Sequence, residues 1–347
     1  MTTFSLGLIF WRLPLLRSKT RLESLVSREA TFLYNNLLLV ALCLTILWGV
    51  MYPLLTQAVR GETRSVSKPY YDFFLHTFGL PLLLLMGIGP LVAWRRASLR
   101  ALGKTFLVPL AAAVVTGVAL IGVGFGSSTP GLLTYTFSAF VAASIVLEFW
   151  RGTTARRAIA GESLPRAFGS LVARNRRRYG GYIVHAAILL LAIGIAGSSA
   201  YQTVRERGLR PGQSLQAAGY TLTYTGLSTR QEANAQATRA TVEVTRGASH
   251  VATLHPGKND YPVEQQVSNE VSIYHDPRTL GDVFTIADQI DRNGTLYLKV
   301  LVKPLVNLIW LAGLLFVGGA IVAMWPDAVE QRRLAERYEP GAAPAGA

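Results

Sequence analysis

Polar and apolar positions along this chain alternate on two different scales. Six apolar runs, at about 34–57, 74–94, 106–125, 132–150, 180–200 and 304–325, reach the roughly 20 residues that a helix needs to cross a bilayer. Between the fifth and sixth runs the period changes. Over 201–303 apolar and polar residues alternate in the manner of strands. Segments 220–225, 240–245, 270–274 and 296–302 read as strands, and Asn293-Gly294 is a hairpin signal before the last of them. The pattern predicts a polytopic α-helical membrane protein of six spans with an extracytoplasmic all-β domain, a compact sandwich or barrel. Its expected parts are a helix end and basic loop at 1–33, a five-helix membrane region at 34–200, the β domain at 201–303, a final transmembrane helix at 304–325 and a cytoplasmic tail at 326–347.

Residues at the ends of these runs refine the picture. The turn Gly126–Gly131 is short and uncharged. Pro304 suits the first turn of a helix, where its missing N–H is not needed, and Trp325 is placed like an interfacial aromatic. Residues 4–11 are apolar but too few to span, and Arg12, Arg17, Lys19, Arg21 and Arg28 follow them. A signal peptide has the opposite order. The stretch reads as the tail of a membrane helix, and the chain as the downstream portion of something longer. Apart from a Pro/Gly/Ala tail after Tyr338 with a disordered composition, there is no low-complexity segment and no internal repeat.

Charge fixes orientation and removes one class of function. The net charge of +14 could suggest nucleic acid. The excess, however, lies in short loops: residues 151–178 hold eight arginines and one acid, whereas 201–303 holds eleven basic and ten acidic residues. The positive-inside rule accounts for that distribution, and no basic stripe on a soluble module is left over. Loops 12–28, 95–105 and 151–178 are therefore expected in the cytoplasm, and 58–73, 126–131 and 201–303 on the other side. Cys43, alone in an apolar run, rules out a disulfide within the chain, and no Cys/His cluster has zinc spacing.

Candidate chemistry concentrates in one stretch. The run Arg174-Asn-Arg-Arg-Arg-Tyr-Gly-Gly-Tyr-Ile-Val-His185 carries a block of arginines straight into the fifth span. An ionisable group inside a membrane helix is costly and marks a site by default. One helical face reads Gly181, His185, Ile188, Ala192, Ala196 and Ser199, mostly small residues that let a neighbouring helix or a flat macrocycle approach. Two readings stand. His185 is hydrogen-bonded to a neighbouring helix, or it is a haem or metal ligand. His76 lies near the outer end of the second span. His250, His255 and His275 are scattered in the β domain, with His250 and His255 five apart across an apparent strand. Glu148, near the cytoplasmic end of the fourth span, is placed to snorkel to the interface. Asp282, Asp288 and Asp291 form no paired-carboxylate signature. Neither a Walker-A motif, a Rossmann fingerprint nor a Ser elbow is present, and Gly122-Val-Gly124-Phe-Gly126 reads as close packing.

Several strings together resemble a known family. Ser27-Arg-Glu-Ala30, Asn35-Asn-Leu-Leu-Leu39, Tyr52-Pro53, Leu82-Leu-Leu-Leu-Met-Gly-Ile-Gly-Pro90, Arg177-Arg-Tyr-Gly-Gly-Tyr-Ile-Val-His185, Ile193-Gly-Ile-Ala-Gly197 and Lys303-Pro-Leu-Val-Asn-Leu-Ile-Trp310 resemble the carboxy-terminal half of the CcmF/CycK family. These are haem lyase subunits of bacterial cytochrome c maturation, in the cytoplasmic membrane. The resemblance implies haem taken from the haem chaperone CcmE outside that membrane, and covalent attachment of its vinyl groups to apocytochrome c cysteines. Thioreduction and chaperone subunits of the apocytochrome, and membrane lipids, are further implied partners. It also implies a heme b held between two transmembrane histidines, one of which carries over to His185. This sequence lacks the family's tryptophan-rich external WWD segment, the two external histidines that flank it and the other transmembrane histidine. The chain is accordingly expected to need an upstream half or a WWD-bearing chain. Two rival classes remain: a non-catalytic docking subunit of the maturation complex, and a permease-like transport subunit, although no polar pathway runs over several helices.

The topology is directly testable. Reporter fusions at Lys19, Lys104 and Arg166 are expected to report cytoplasm, and those at Lys68 and Asn259 the opposite side. An external location for 151–178 contradicts the arrangement.

Overall fold

The computed structural model describes residues 2–16, 27–92, 99–291 and 293–326. Residues 17–26 of the basic loop at 12–28, residues 95–98 of the loop at 95–105, and all but the first residue of the tail at 326–347 lie outside these residues, and the rest of the 95–105 loop is helical. The chain forms two compact units, Met1–Leu110 and Ala111–Ala347. Among the described residues six helices are long and apolar enough to cross a membrane, as the hydropathy pattern predicts.

The first unit begins with α1 (Thr2–Leu16), so the apolar stretch at 4–11 is helical. Helix α2 (Arg28–Arg60) starts where Ser27 Oγ accepts the Ala30 N–H at 3.1 Å, and it stops at Gly61, whose φ of 71° only glycine adopts without strain. Its 33 residues make it about 50 Å long, longer than the roughly 30 Å hydrocarbon core. The second span is a continuous helix in three parts: α3 (Lys68–Phe74), a π-helical turn (Leu75–Gly79) and α4 (Leu80–Leu91). His76 lies in the π-helical turn. Tyr70 donates its hydroxyl to the Thr45 carbonyl at 3.1 Å, and the Tyr71 ring fills the space a side chain at Gly49 would need. These contacts tie α3 to α2. Helix α5 (Leu99–Gly122) leads from this unit into the next.

The second unit holds α6 (Thr129–Ala160), α7 (Leu164–Arg174), α8 (Arg176–Ala200), nine strands and α9 (Asn307–Met324). The eight-arginine segment read as a loop is largely helical. Helix α6 continues ten residues beyond Trp150, and α7 fills most of the remainder. Hydropathy marks where a span leaves the hydrocarbon; it does not end the backbone's own hydrogen-bond ladder, which Gly161 closes at φ 65°.

Helices α8 and α9 pack antiparallel through glycines. A Cβ at Gly180 would lie 2.6 Å from the Ala323 nitrogen, one at Gly319 2.9 Å from the Val184 nitrogen, and one at Gly197 2.9 Å from Leu305 Cβ. Small residues let the two backbones touch, which is how helices gain contact where lipid offers no hydrophobic contrast. The face that does this is Gly180, Val184, Gly194 and Gly197. It is not the Gly181–His185 face, and a side chain at Gly181 would meet nothing within 4 Å.

The β domain contains β1 (Thr203–Leu209), β2 (Ser214–Ala217), β3 (Tyr220–Gln231), β4 (Gln236–Arg246), β5 (Ser249–Leu254), β6 (Gly257–Tyr261), β7 (Gln266–Asp276), β8 (Gly281–Ile290) and β9 (Leu296–Lys303). Neighbours pair in the order β1-β9-β8-β7-β6-β4-β3-β2, with β5 beside β4. Strand β7 belongs to both layers. Its first half pairs with β6 and its second half with β8, so the sheet folds over itself as a sandwich. Leu209, Leu222, Tyr224, Val242, Val244, Val283, Leu296, Leu298 and Val300 fill the interior. Asn293-Gly294 does form the β8–β9 turn. Gly294 has φ 81°, and Asn293 Oδ1 accepts the Thr295 N–H at 3.0 Å.

Pro304 precedes α9 rather than opening it. Residues 304–306 form a turn with Leu305 at φ 60°, and the helix starts at Asn307. That turn is held by the β7–β8 hairpin. The Asn307 N–H donates to the Leu280 carbonyl at 3.0 Å, and its Nδ2 donates to Asp282 Oδ1 at 2.9 Å. Nearby, buried Asp276 accepts from the Tyr220 hydroxyl at 2.6 Å, Arg246 Nη1 at 2.8 Å, Thr279 Oγ1 at 3.0 Å and the Arg278 N–H at 3.0 Å. Burial alone would raise the Asp276 carboxyl. The four donors outweigh it and hold the group below the usual carboxylate range. Burial, together with the bond to Asp276, pushes the Tyr220 hydroxyl up to about 12.

A depressed folded-state carboxyl stabilises the fold above the unfolded value of about 3.9, and that contribution is lost as pH falls through the folded value. Residues 201–303 expressed alone are expected to give a β-type circular dichroism spectrum and a cooperative melt at neutral pH. Their midpoint should fall below about pH 4. Asp276→Asn should lower stability at neutral pH by about 1–3 kcal/mol and flatten the acid limb. An unfolded module at neutral pH, or an unchanged acid limb in the variant, contradicts this account.

Candidate functional site

The site is built on one face of α8 and the face of α6 opposite it. Arg178, Tyr182 and His185 are spaced four and three residues apart, so they stack along one side of the helix. Gly131, Ser138, Val141, Ile145 and Glu148 form the buried stripe of α6. Glu148 Oε2 accepts from Arg178 Nη2 at 2.6 Å and from the Tyr182 hydroxyl at 3.1 Å. Arg178 Nε also reaches the Tyr182 oxygen at 3.4 Å. The Glu148 side chain is 10% exposed and that of Arg178 is 56% exposed. Glu148 therefore turns inward to a partner instead of snorkelling. A buried carboxylate with a guanidinium two helices away gains more from pairing than from stretching to the interface.

His185 lies one turn further along α8, toward the middle of the apolar span. Its ring centroid is 6.5 Å from that of Tyr182, and the residue is half-buried. Its Nδ1 is buried and has no hydrogen-bond partner. An imidazole hydrogen-bonded to a neighbouring helix would use that atom or its counterpart across the ring, and no bond from His185 to another helix is found. The open space beside Gly181 adjoins it on the same face. Buried polar atoms ordinarily find partners, and this one, like Ser138 Oγ on α6, has none among the described residues. The donor set fits haem iron: a neutral imidazole with small neighbours and room on one side.

The remaining histidines do not join this site. His250 Nε2 meets Thr253 Oγ1 at 3.1 Å. The His255 N–H donates to Ser272 Oγ. His275 Nδ1 contacts buried Asp282 Oδ1 at 2.8 Å. Among the described residues no group of three His, Cys, Asp or Glu side chains is placed to hold a metal ion. Asp282 works at the hairpin that holds α9, and Asp288 and Asp291 do not pair with it. Arg178 and Tyr182 were not legible as site residues by type. Their spacing from His185 was the available signal, and Glu148 was visible only as an acid inside an apolar run. Beside Arg178, a cavity of about 310 Å³ opens between α6, α7 and α8, lined by Gly152, Arg156, Asn175 and Tyr179 among others.

Six apolar helices with a β-sandwich ahead of the last, and an intramembrane histidine on the helix before it, define a class: multi-pass membrane proteins with one inserted β domain. A family model described as the CcmF C-terminal beta-sandwich matches residues 200–304. A cytochrome c-type biogenesis protein CcmF of Pseudomonas aeruginosa is 31% identical over 323 residues, 92% of this chain and 47% of that protein. The protein of the same name in Escherichia coli is 25% identical over 321 residues, again 92% and 47%. A solved structure of a cytochrome c heme lyase CcmF superimposes with a TM-score of 0.68 at 26% identity, covering 87% of this chain and 46% of that one. The chain is thus similar to CcmF proteins over most of its own length, and its β domain matches their C-terminal beta-sandwich. It spans about half the length of the relatives it matches.

Proposed function

We propose that this chain is the carboxy-terminal part of a cytochrome c haem lyase, and that His185 is one axial ligand of a b-type haem inside the membrane. The orphaned, buried Nδ1 of His185 on a half-open helix face is the observation that carries the reading. The relatives' names support the chemistry, and the open space at Gly181 supports a flat group against this face. The opposite ligand comes from the half of the relatives' length that this chain does not span.

Held by His185 and a second ligand, a haem would supply an iron that carries one electron at a time. The protein's own residues do the positioning. α8 holds His185 at fixed depth because its glycines lock it to α9. Tyr182 stands beside it, its ring centroid 6.5 Å from that of His185. In this reading the β-sandwich stands on the extracytoplasmic side of a bacterial cytoplasmic membrane. There it positions apocytochrome c, whose cysteines take up haem delivered by the chaperone CcmE. Thioether formation needs the incoming haem reduced and close to the thiols, so proximity and redox poise are the contributions asked of the assembly.

His185→Ala is expected to remove or strongly weaken the Soret absorbance of the assembled complex and to lower cytochrome c yield. His185→Gly with added imidazole should restore part of both. Full haem content with an unchanged spectrum in His185→Ala overturns the ligand assignment and leaves the docking-subunit reading standing.

A further inference from the structure

The Glu148–Arg178–Tyr182 cluster is the one buried polar network among the described membrane residues that the proposed chemistry does not use. An ion pair in a low-dielectric interior gives little net stability, because desolvation offsets the Coulomb attraction. Its stability therefore does not explain its presence. Its geometry does more. An arginine side chain has about 2 kcal/mol of rotamer entropy and would otherwise swing freely. Here the carboxylate and the phenol hold its guanidinium at 2.6 and 3.4 Å, in one orientation. Those two bonds engage two of the five N–H donors that a guanidinium carries. The side chain is 56% exposed, so the pinned group is fixed but not enclosed.

The pinned group sits in register with His185. Seven residues of α8 separate the two, two turns on one face, with a rise of about 10 Å along the axis. Both side chains lean toward the helix amino terminus, and the longer arginine carries its guanidinium further that way, so the tips are at least that far apart. An iron ligand and a fixed guanidinium at that separation match the two ends of a metalloporphyrin whose plane runs along the helix. The iron lies at the imidazole, and a carboxylate on the macrocycle's edge reaches the arginine. Arginine is suited to that carboxylate because its planar fork bonds both oxygens at once.

We propose that Arg178, positioned by Glu148 and Tyr182, binds a propionate of the haem held by His185, and so fixes which edge of the macrocycle points toward the amino-terminal end of α8. The proposal rests on His185 being a haem ligand. Tyr182 is a positioning residue in it, and Glu148 acts only through Arg178. The cavity beside Arg178 offers a rival occupant with the same anionic chemistry, a lipid phosphate.

The test compares haem with haem dimethyl ester, which lacks free carboxylates, in reconstitution of the purified assembly, alongside the haem midpoint potential. Wild type is expected to favour haem by about tenfold, the scale of one charge-assisted bond pair. Arg178→Gln should lose that preference, and its potential should move to lower values, since a positive charge that favours ferrous iron is gone. Arg178→Lys should restore part of both. Because Arg178→Gln alone strands the Glu148 carboxylate, the double variant Glu148→Gln/Arg178→Gln serves as the folded control and should behave like the single one. If His185→Ala loses haem while both glutamine variants keep the tenfold preference and the wild-type potential, the Arg178 assignment is wrong and the His185 reading stands. If His185→Ala keeps its haem, the His185 reading fails and takes this proposal with it. If nanodisc reconstitutions with and without anionic lipid change the potential only when Arg178 is present, and the ester binds as well as haem throughout, the guanidinium serves a lipid phosphate and the proposal is overturned.

Discussion

A carboxylate inside an apolar helix must find a positive partner, and that requirement organises the membrane part of the second unit. Glu148 on α6 meets Arg178 on α8 and takes Tyr182 with it. The pairing fixes the rotation of α8 relative to α6, because only one face of α8 carries both donors. Once that rotation is set, His185 three residues on must face the same interior. Its Nδ1 is left buried without a partner as a consequence. The opposite constraint comes from α9, which approaches the backbone of α8 at Gly180, Gly194 and Gly197. Helix α8 is thus gripped on one side by polar bonds and on another by backbone contact. The histidine is carried between them on a face that keeps open space at Gly181.

The same helices position the β domain. Helix α8 ends at Ala200 and β1 begins at Thr203, while β9 ends at Lys303 and α9 begins at Asn307. Both crossings are only a few residues long. Asn307 is bound to the β7–β8 hairpin through Leu280 and Asp282, and Asp276 ties that hairpin to β3 and β4 through Tyr220 and Arg246. The sandwich is therefore anchored to the α8–α9 pair through short, hydrogen-bonded joints. A domain held this way keeps a set position relative to the helix that carries His185.

Much of this was legible in the sequence, for reasons that differ by element. The spans show because hydrophobic length is a property of composition, which needs no tertiary context. Strands such as Tyr220–Gln231 and Leu296–Lys303 show because one face is buried and the other is not. Strand β1, with Arg205, Glu206 and Arg207, and β6, Gly-Lys-Asn-Asp-Tyr, were hidden. Their residues carry no alternation that survives outside the pairing with β9 and β4. The arginine-rich stretch looked like a loop because charge marks the edge of the hydrocarbon but leaves helical hydrogen bonding intact. His185 stood out as an ionisable group at depth. Glu148 read as an acid snorkelling to the interface, since its partner lies thirty residues away on another helix and only the packing brings them together.

The central claim is that a nitrogen of His185 binds iron, and it can be read from that nitrogen itself. In an assembly where only this chain carries ¹⁵N-histidine, pulsed electron paramagnetic resonance of the oxidised low-spin haem reports the nitrogens bound to iron. The account predicts a strong ¹⁵N coupling of an axial imidazole that disappears in His185→Gly supplied with unlabelled imidazole. A low-spin haem signal with no ¹⁵N coupling from this chain would contradict it.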